Sequence, residues 1–401
     1  MADQLFAGLK VIDCASFIAA PAAATVLSDF GADVIKIEPP GEGDAYRKLH
    51  ANPGTPKSNV DYGWMHCSRN KRGISLDLKS PQGLGVLHRL IDKADVFITN
   101  LPLPVRRRMK VTYEDLGARN PQLIYASFTA YGETGDEADK TGFDATAYWA
   151  RSGLMDQVRA DSTAPPARSV AGMGDHPCSI ALYAAIVTAL YRRQATGKGG
   201  LVSSSLLANG LWSNAFLVQA RLTGATIPPR PPRAESLVAT ANMYRTRDHR
   251  WFNLAMVNDA KQFPILVETL GRPELATDPR FATTDARRAN VRALMTELDG
   301  LFAEFDLPYL RKVLDAAGIT FGFVGTIDEA LHDPQMRAAG AIVPTADGKA
   351  EIVSSPFQVE GAPKTAPGPA PAIGEHTDEV LREYGFSDAE IFAMREAKAV
   401  A

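Results

Sequence analysis

Six consecutive residues near the middle of the chain, Gly172-Met173-Gly174-Asp175-His176-Pro177, combine a carboxylate with backbone that can come close to a ligand. Glycine has no Cβ, so the amides at 172 and 174 can approach a bound group, and the apolar residues that follow read as a helix opened by Asp175. Two roles fit a carboxylate there. The commoner is a helix cap, with the side chain accepting hydrogen bonds from the first amides and Pro177 tolerated in the first turn. The other is a nucleophile or base facing a ligand, with glycine amides as oxyanion donors. The two roles are compatible.

Other charged clusters are equally two-sided. Lys36-Ile37-Glu38 and Gly43-Asp44 with Arg47 suit a strand end and a turn. Arg106-Arg107-Arg108 suits a solvated face or a phosphate grip, since guanidinium binds phosphate bidentately and the run follows a strand end at Asn100, where α/β sheets bind ligands. Trp64, Tyr148, Trp149 and Trp251 read as core or interface aromatics, without the surrounding basic density that nucleic-acid binding needs. Gly41-Glu42-Gly43 has Tyr46 where a dinucleotide fingerprint has its third glycine, and Gly197-Lys198 lacks the rest of a phosphate loop. No nucleophile elbow occurs, and the seven histidines show no metal-ligand spacing. The motifs predict neither a nicotinamide nor a metal.

The elements that must carry these residues alternate. Strands are expected at 11–13, 32–38, 74–78, 95–99 and 123–128, with helical segments at 21–30 and 81–94 between them. That alternation predicts a parallel sheet with helices on both faces. A long helix is expected over 179–193, stopped by Gly197-Lys198-Gly199-Gly200, and another over 206–222. Prolines at 228, 229, 231 and 232 then mark a linker. Beyond it come a strand pair around Tyr244 and 251–256, helices at 261–270 and 287–305 and a strand at 321–326, which predict a smaller α+β domain. A second Pro-rich stretch, 361–371, precedes a charged helix pair from Thr377 onward.

With 401 residues, 45% of them hydrophobic, the chain has ample core material for about two or three domains, and disorder is excluded. Its 43 basic and 46 acidic side chains, net charge −3, give no overall field for nucleic acid or an anionic membrane, so small-molecule partners are expected. Cys14, Cys67 and Cys178 cannot form a disulfide framework and suit a reducing, cytoplasmic setting. The start of the chain lacks a signal-peptide pattern, and the apolar run 180–191 is too short to span a membrane.

Taken together, a series of segments resembles the family III CoA-transferases, the group that contains formyl-CoA transferase, carnitine CoA-transferases and α-methylacyl-CoA racemases. The series includes Gly8-Leu9-Lys10-Val11-Ile12-Asp13, the run from Asp29 to Glu38, Gly43-Asp44, and the run from Asn70 to Lys79. It continues through Asn120-Pro121-Gln122-Leu123-Ile124-Tyr125, Gly142-Phe143-Asp144, Ser152-Gly153, Gly174-Asp175, Thr196-Gly197-Lys198-Gly199 and Gly374-Glu375-His376-Thr377. The order and number of these segments, rather than any one of them, carry the likeness.

The resemblance implies that Asp175 is a covalent nucleophile moving CoA from an acyl-CoA thioester to a small carboxylic acid, with CoA as substrate and no permanently bound cofactor. It implies CoA contacts by Phe17, Ile18, Asn70, Lys71, Arg72, Asn100, Leu101, Arg108, Met109 and Lys140, with Arg108 and Lys71 on phosphate, and an acyl site near Phe143, Asp144 and Tyr148. It further implies a Rossmann-like large domain from 1–223 and 327–401, a small domain over 224–326, and an interlocked, ring-like homodimer, with no membrane and no nucleic-acid partner.

Three departures qualify it. Pro39 replaces an arginine that many relatives carry beside the nucleotide, and Phe143 replaces the histidine that racemases use with the following aspartate. Ile18 replaces the glutamine of formyl-CoA transferases, whose polyglycine loop is also missing. Racemisation or isomerisation, transfer within one dicarboxylic acid and non-catalytic CoA binding stand as alternatives.

Overall fold

Val11, Ile12, Val34, Ile35 and Ile37 belong to short β-branched runs, and such runs are stable as strands covered on both faces. In the computed structural model, which describes residues 4–401, they form the centre of a six-stranded parallel sheet. Its strands are β1 (Lys10–Cys14), β2 (Asp33–Glu38), β3 (Arg72–Ser75), β4 (Val96–Thr99), β5 (Ile124–Thr129) and β6 (Gly200–Ser205), in the order β3-β2-β1-β4-β5-β6. Every neighbouring pair is parallel, with Ile12 opposite both Ile35 and Phe97. The order reverses between β1 and β4, and ligands of such sheets bind beyond the carboxyl ends at that reversal.

Apolar side chains leave the sheet on both sides and form two cores. One joins Ile12, Ile35, Ile37 and Phe97 to the helix Pro81–Ile91 and to Val380, Leu381, Ile391 and Met394 from the C-terminal helices. The other joins Val11, Val34, Ile98 and Ala126 to the helices Ala19–Asp29 and Asp175–Thr196. Ala19, Ala20, Ala23 and Ala24 are all buried there, and their small side chains let the first helix lie close to Cys178, Leu182 and Ile186 of the second.

Several elements depart from their sequence expectation. β6 was not expected: its Ser203-Ser204-Ser205 is polar because one face of this edge strand is open, its exposure alternating along the strand. β3 starts at Arg72 and ends at Ser75, and Leu76 instead bridges Val400 in antiparallel fashion. The helix expected over 206–222 breaks into Leu206–Ser213 and Ala215–Leu222, since Asn214 leaves the helical conformation to donate from Nδ2 to the Ser152 carbonyl. A short antiparallel pair, β10 (Ile342–Pro344) with β11 (Glu351–Val353), was also not expected.

The chain divides into two compact units, one of residues 4–158, 166–226 and 335–401 and one of residues 159–165 and 227–334. The second has its own core. In it β7 (Ala241–Arg245), β8 (Trp251–Ala255) and β9 (Phe321–Phe323) form an antiparallel sheet, and Tyr244, Phe252 and Leu254 pack against Phe263, Leu298 and Phe302 of its helices. Here too one long helix becomes two, Thr284–Ala289 and Val291–Phe302, with Asn290 at the break. Among the described residues no helix is long and apolar enough to cross a membrane.

Candidate active site

Asp175 is the first residue of the 22-residue helix Asp175–Thr196, with Gly174 at the capping position. The expected side-chain cap is not formed: among the described residues the Asp175 carboxylate accepts no hydrogen bond and makes no ion pair. Moved one residue into the helix, it stands clear of the first amides. The turn that produces this depends on glycine. Gly172 has φ of +77°, and its carbonyl accepts the His176 amide at 3.1 Å. At Gly174 the constraint is packing, because a Cβ there would lie 2.6 Å from Cγ of Tyr148.

The field at Asp175 is unusual for a carboxylate. Burial, and after it the negative charge of Asp144, push its pKa up to about 7. Asp144 is brought near by the Gly174 amide, which donates to its Oδ2 at 3.4 Å. The positive end of the helix dipole acts in the opposite sense and favours the anion. His176 and His66 meet edge to face with ring centroids 5.1 Å apart. Burial lowers both, His66 to about 3, helped by Arg69 and the neighbouring ring, so both imidazoles are neutral near pH 7.

Aromatic and aliphatic side chains lie about the Gly172–Gly174 turn and Asp144. Phe17 meets Phe143 edge to face at 5.6 Å and lies 6.5 Å from Tyr46. Ile18 reaches the turn at Gly172, and Tyr148 lies under Gly174 with its hydroxyl 2.7 Å from Ser213 Oγ. Asp144 to Ala150 form a π-helical turn, the kind of irregularity that re-aims side chains at sites. Phe17 itself sits at φ of +65°, rare for a bulky residue.

The loop that holds Phe17 is fixed from two directions. Asn100, just after β4, accepts from the Ser16 amide at 2.8 Å and donates to the Ser16 carbonyl at 2.7 Å, closing the gap at the strand-order reversal. From below, Asp44 accepts the Phe17 amide at 3.3 Å and pairs with Lys36 at 2.9 Å, while Lys36 also donates to the Ala15 carbonyl. Asp13 completes the cluster, 2.8 Å from Lys71. The side chains of Asp13, Lys36 and Lys71 have no solvent exposure, so each charge depends on its partners. Charged residues inside apolar strands, Asp13 in β1 and Lys36 in β2, were the available sequence signal for this cluster; His66 and Tyr46 carried none.

The residues expected to touch CoA fall into distinct groups. Phe17, Ile18, Asn100 and Leu101 gather at the carboxyl ends of β1 and β4. Arg108 is exposed and makes no hydrogen bond or ion pair among the described residues, whereas Arg106 is buried on Ser127 and Phe128 and Arg107 pairs with Asp139. Met109 is half-buried against the first core, and Lys140 is exposed, 2.9 Å from Glu137 and over the Tyr131 ring. Lys71 points inward: its ammonium donates to Asp13, the Pro21 carbonyl and the Cys67 carbonyl at 2.7–2.8 Å, which uses all three protons. Arg72 turns to Asp33, Glu379 and Glu383, and Asn70, at φ of +61°, accepts the Gly368 amide. A phosphate contact by Lys71 or Arg72 would break these pairs. Among the described residues, no three or more His, Cys, Asp and Glu are arranged to hold a metal ion.

Comparison with known proteins gives this geometry its family. Residues 6–377 match CoA-transferase family III. The chain belongs to that family. It is 32% identical to the (R)-2-hydroxy-4-methylpentanoate CoA-transferase of Clostridioides difficile over 99% of this chain and 100% of that protein. It is 31% identical to the cinnamoyl-CoA:phenyllactate CoA-transferase of Clostridium sporogenes, with coverage of 99% and 97%. A crystal structure of a CaiB/BaiF family protein from Brucella suis superposes with a TM-score of 0.84 at 31% identity, covering 95% of this chain and 99% of that one. The protein is therefore a family III CoA-transferase, an enzyme whose substrates are CoA thioesters, built on the α/β fold expected from its sequence.

Proposed function

We propose that this family III CoA-transferase works through a covalent aspartyl intermediate on Asp175. The observation that carries the reading is a carboxylate at the start of a long helix, partly buried and without a hydrogen-bond partner among the described residues, so that its lone pairs are available to an electrophile. A structural aspartate at a helix start would be engaged with the first amides.

The steps conserve charge throughout. The Asp175 carboxylate attacks the thioester carbonyl of the donor, the C–S bond breaks, and an acyl-aspartyl anhydride and CoA thiolate result. The thiolate then attacks the aspartyl carbonyl, releasing the donor acid as its carboxylate and leaving Asp175 as a CoA thioester. The acceptor carboxylate attacks that thioester to give a new anhydride and thiolate again. Attack of thiolate on the acceptor's carbonyl forms the new acyl-CoA and restores Asp175. No proton needs to be gained or lost. The helix's N-terminal amides are suitably placed in sequence to receive charge developing on oxygen.

In this reading CoA lies along the carboxyl ends of β1 and β4, touched by Phe17, Ile18, Asn100, Leu101, Met109 and Lys140, with the unpaired Arg108 as its phosphate partner. The enzyme acts as a homodimer in a reducing, cytoplasmic setting, which its three unpaired, buried cysteines suit. Phe143 carries no exchangeable proton, so a two-base racemase mechanism through that position is disfavoured.

Intact mass after mixing with a panel of acyl-CoAs, followed by hydroxylamine or borohydride trapping, tests the intermediate. A donor-dependent adduct that maps to Asp175 and vanishes in Asp175→Ala is expected. Turnover with full activity in Asp175→Ala would sink the reading.

A further inference from the structure

Just beyond the carboxyl end of β1, backbone polar groups of Ala15, Ser16 and Phe17 are met by side chains. The Ala15 amide donates to Asp13 at 3.2 Å, and the Ala15 carbonyl accepts from Lys36. Asn100 takes both polar groups of Ser16, and the Phe17 amide reaches Oδ1 of Asp44 at 3.3 Å. Asp44 has further partners. It is buried, and the same Oδ1 accepts the Tyr46 amide at 3.0 Å, capping the short helical turn Ala45–Ala51. Its Oδ2 pairs with Lys36 of β2 at 2.9 Å, and its own amide donates to Glu38 at 2.9 Å. One carboxylate thus ties β2, the Tyr46 turn and the Phe17 loop together. Phe17 holds φ of +65°, a conformation that crowds the Cβ of an L residue against the following carbonyl oxygen. Such a backbone persists only where its surroundings over-determine it, and residues held this way gather at functional sites. So fixed, the Phe17 ring stands edge to face with Phe143 at 5.6 Å and lies 6.5 Å from Tyr46.

We propose that Asp44 is a positioning residue for CoA transfer: its carboxylate holds Phe17 in the left-handed conformation, so that the ring is in place before CoA arrives. The inference rests on the reading that CoA lies along the carboxyl ends of β1 and β4 and touches Phe17. A preformed loop spares the ligand the cost of ordering it. When the binding-competent conformer becomes a minority, the apparent Kd rises in inverse proportion to its population. Asp44→Asn is the change that frees residue 17. A carboxylate offers two acceptor oxygens, one to the Phe17 and Tyr46 amides and the other to Lys36. An asparagine side chain has one oxygen, so its NH2 faces either the two backbone amides or the buried ammonium, donor against donor.

The test is a double-mutant cycle on the full-length protein, with free coenzyme A as the probe and its Kd read by isothermal titration. The acyl group need not be known. Asp44→Asn is expected to raise Kd about tenfold, the factor set by the cost of a left-handed residue once nothing holds it. Phe17→Ala should raise Kd as well, and the double variant should bind no worse than Phe17→Ala alone, because without the ring the conformation of residue 17 no longer matters. Asp44→Glu keeps a charge beside Lys36 while moving the carboxylate by one methylene, and it takes the place of Asp44→Asn in the cycle if that variant does not fold. An unchanged Kd in the Asp44 variant, or a double variant whose loss is the product of the two single losses, overturns the proposal and leaves CoA beside Phe17. An unchanged Kd in Phe17→Ala overturns that placement of CoA and the proposal with it, while the Asp175 adduct remains a separate measurement. Thermal unfolding checks the premise: Phe17→Gly should melt above Phe17→Ala, since only alanine keeps the crowded Cβ. The reverse order would show that residue 17 is not held left-handed and would also overturn the proposal.

Discussion

The amide of Gly174 donates to Asp144 across 3.4 Å, so a second carboxylate is held against the residue that immediately precedes Asp175. Two like charges in a partly dry site oppose each other's ionisation, and here the effect adds to burial in raising Asp175 to about 7. The nucleophile must be the anion. Transfer is therefore expected to rise with pH through about 7 and to level off above it. Asp144→Asn removes the smaller of the two causes, so the midpoint should move down while burial keeps it above 3.8, the ordinary aspartate value. A pH profile of kcat for the acylation step reads this directly, and an unmoved midpoint contradicts it.

The same shift predicts a stability change of definite sign. A carboxyl whose folded pKa exceeds its unfolded value takes up a proton on folding, so its contribution is complete below about 4 and is lost as pH rises through about 7. Asp175→Asn cannot ionise and should be more stable than the parent at pH 8, with little difference at pH 4. The limit set by a rise from 3.8 to about 7 is about 4 kcal/mol, and partial exposure reduces it. Thermal unfolding of both proteins at the two pH values checks the crossing pattern, and a destabilised variant at pH 8 would refute it.

Gly174→Ala should be nearly inactive although its backbone conformation is open to any residue. The new methyl would sit 2.6 Å from Cγ of Tyr148, so either the ring or the start of the Asp175 helix must move. A displacement near 1 Å at a reacting group lowers kcat by about a hundredfold. Gly85→Ala makes the control: no atom lies within 4 Å of its Cβ, and removing a helix-interior glycine stabilises by about 0.5–1 kcal/mol.

Lys71→Met separates a structural lysine from a ligand-binding one. Breaking a buried ion pair from one side costs about 3–5 kcal/mol because the partner charge is stranded. Loss of Lys71 would leave Asp13 with only Lys36 at 3.8 Å and the Ala15 amide, and would strand two carbonyls, so a fall in Tm is expected. A variant as stable as the parent, with only a raised KM for acyl-CoA, would restore the phosphate role to Lys71.

Arg108→Ala should behave in the opposite manner. The side chain is exposed and has no partner to strand, so Tm should stay unchanged. If it grips a CoA phosphate, the loss of a charge-assisted hydrogen bond is worth about 1.5–3 kcal/mol, a rise of roughly tenfold or more in KM for acyl-CoA. An unaltered KM would show that phosphate is held elsewhere.

The sequence was most informative where burial dictates residue type. The apolar runs of β1, β2, β4 and β5 are legible because both their faces are covered, and the helix Asp175–Thr196 because its apolar residues repeat. β6 was illegible for the converse reason: an open face lets serines stand in a strand. The breaks at Asn214 and Asn290 were missed because the surrounding residues favour helix and the interruptions depend on tertiary packing. In the site, Asp175 stood out by its glycine neighbours. Its failure to cap could not be read, since one residue of helical phase separates a satisfied carboxylate from an unsatisfied one. The burial of Lys71 could not be read either, because Asp13, Pro21 and Cys67 converge on its ammonium from three separate segments.

The placement of the C-terminal helices also sets the order in which the protein can mature. All six parallel strands lie within residues 10–205, yet Val380, Leu381, Ile391 and Met394 complete the core on one side of them. During synthesis the sheet is made long before its cover. At about 5–20 residues per second, the roughly 200 residues that follow β6 take about 10–40 s to emerge, during which the core around Ile12, Ile35, Ile37 and Ile74 lacks its C-terminal members, among them Val380, Leu381, Ile391 and Met394. The nascent chain thus passes through a prolonged interval of exposed apolar sheet, when a ribosome-associated chaperone would be most useful and rapid translation at high temperature most damaging.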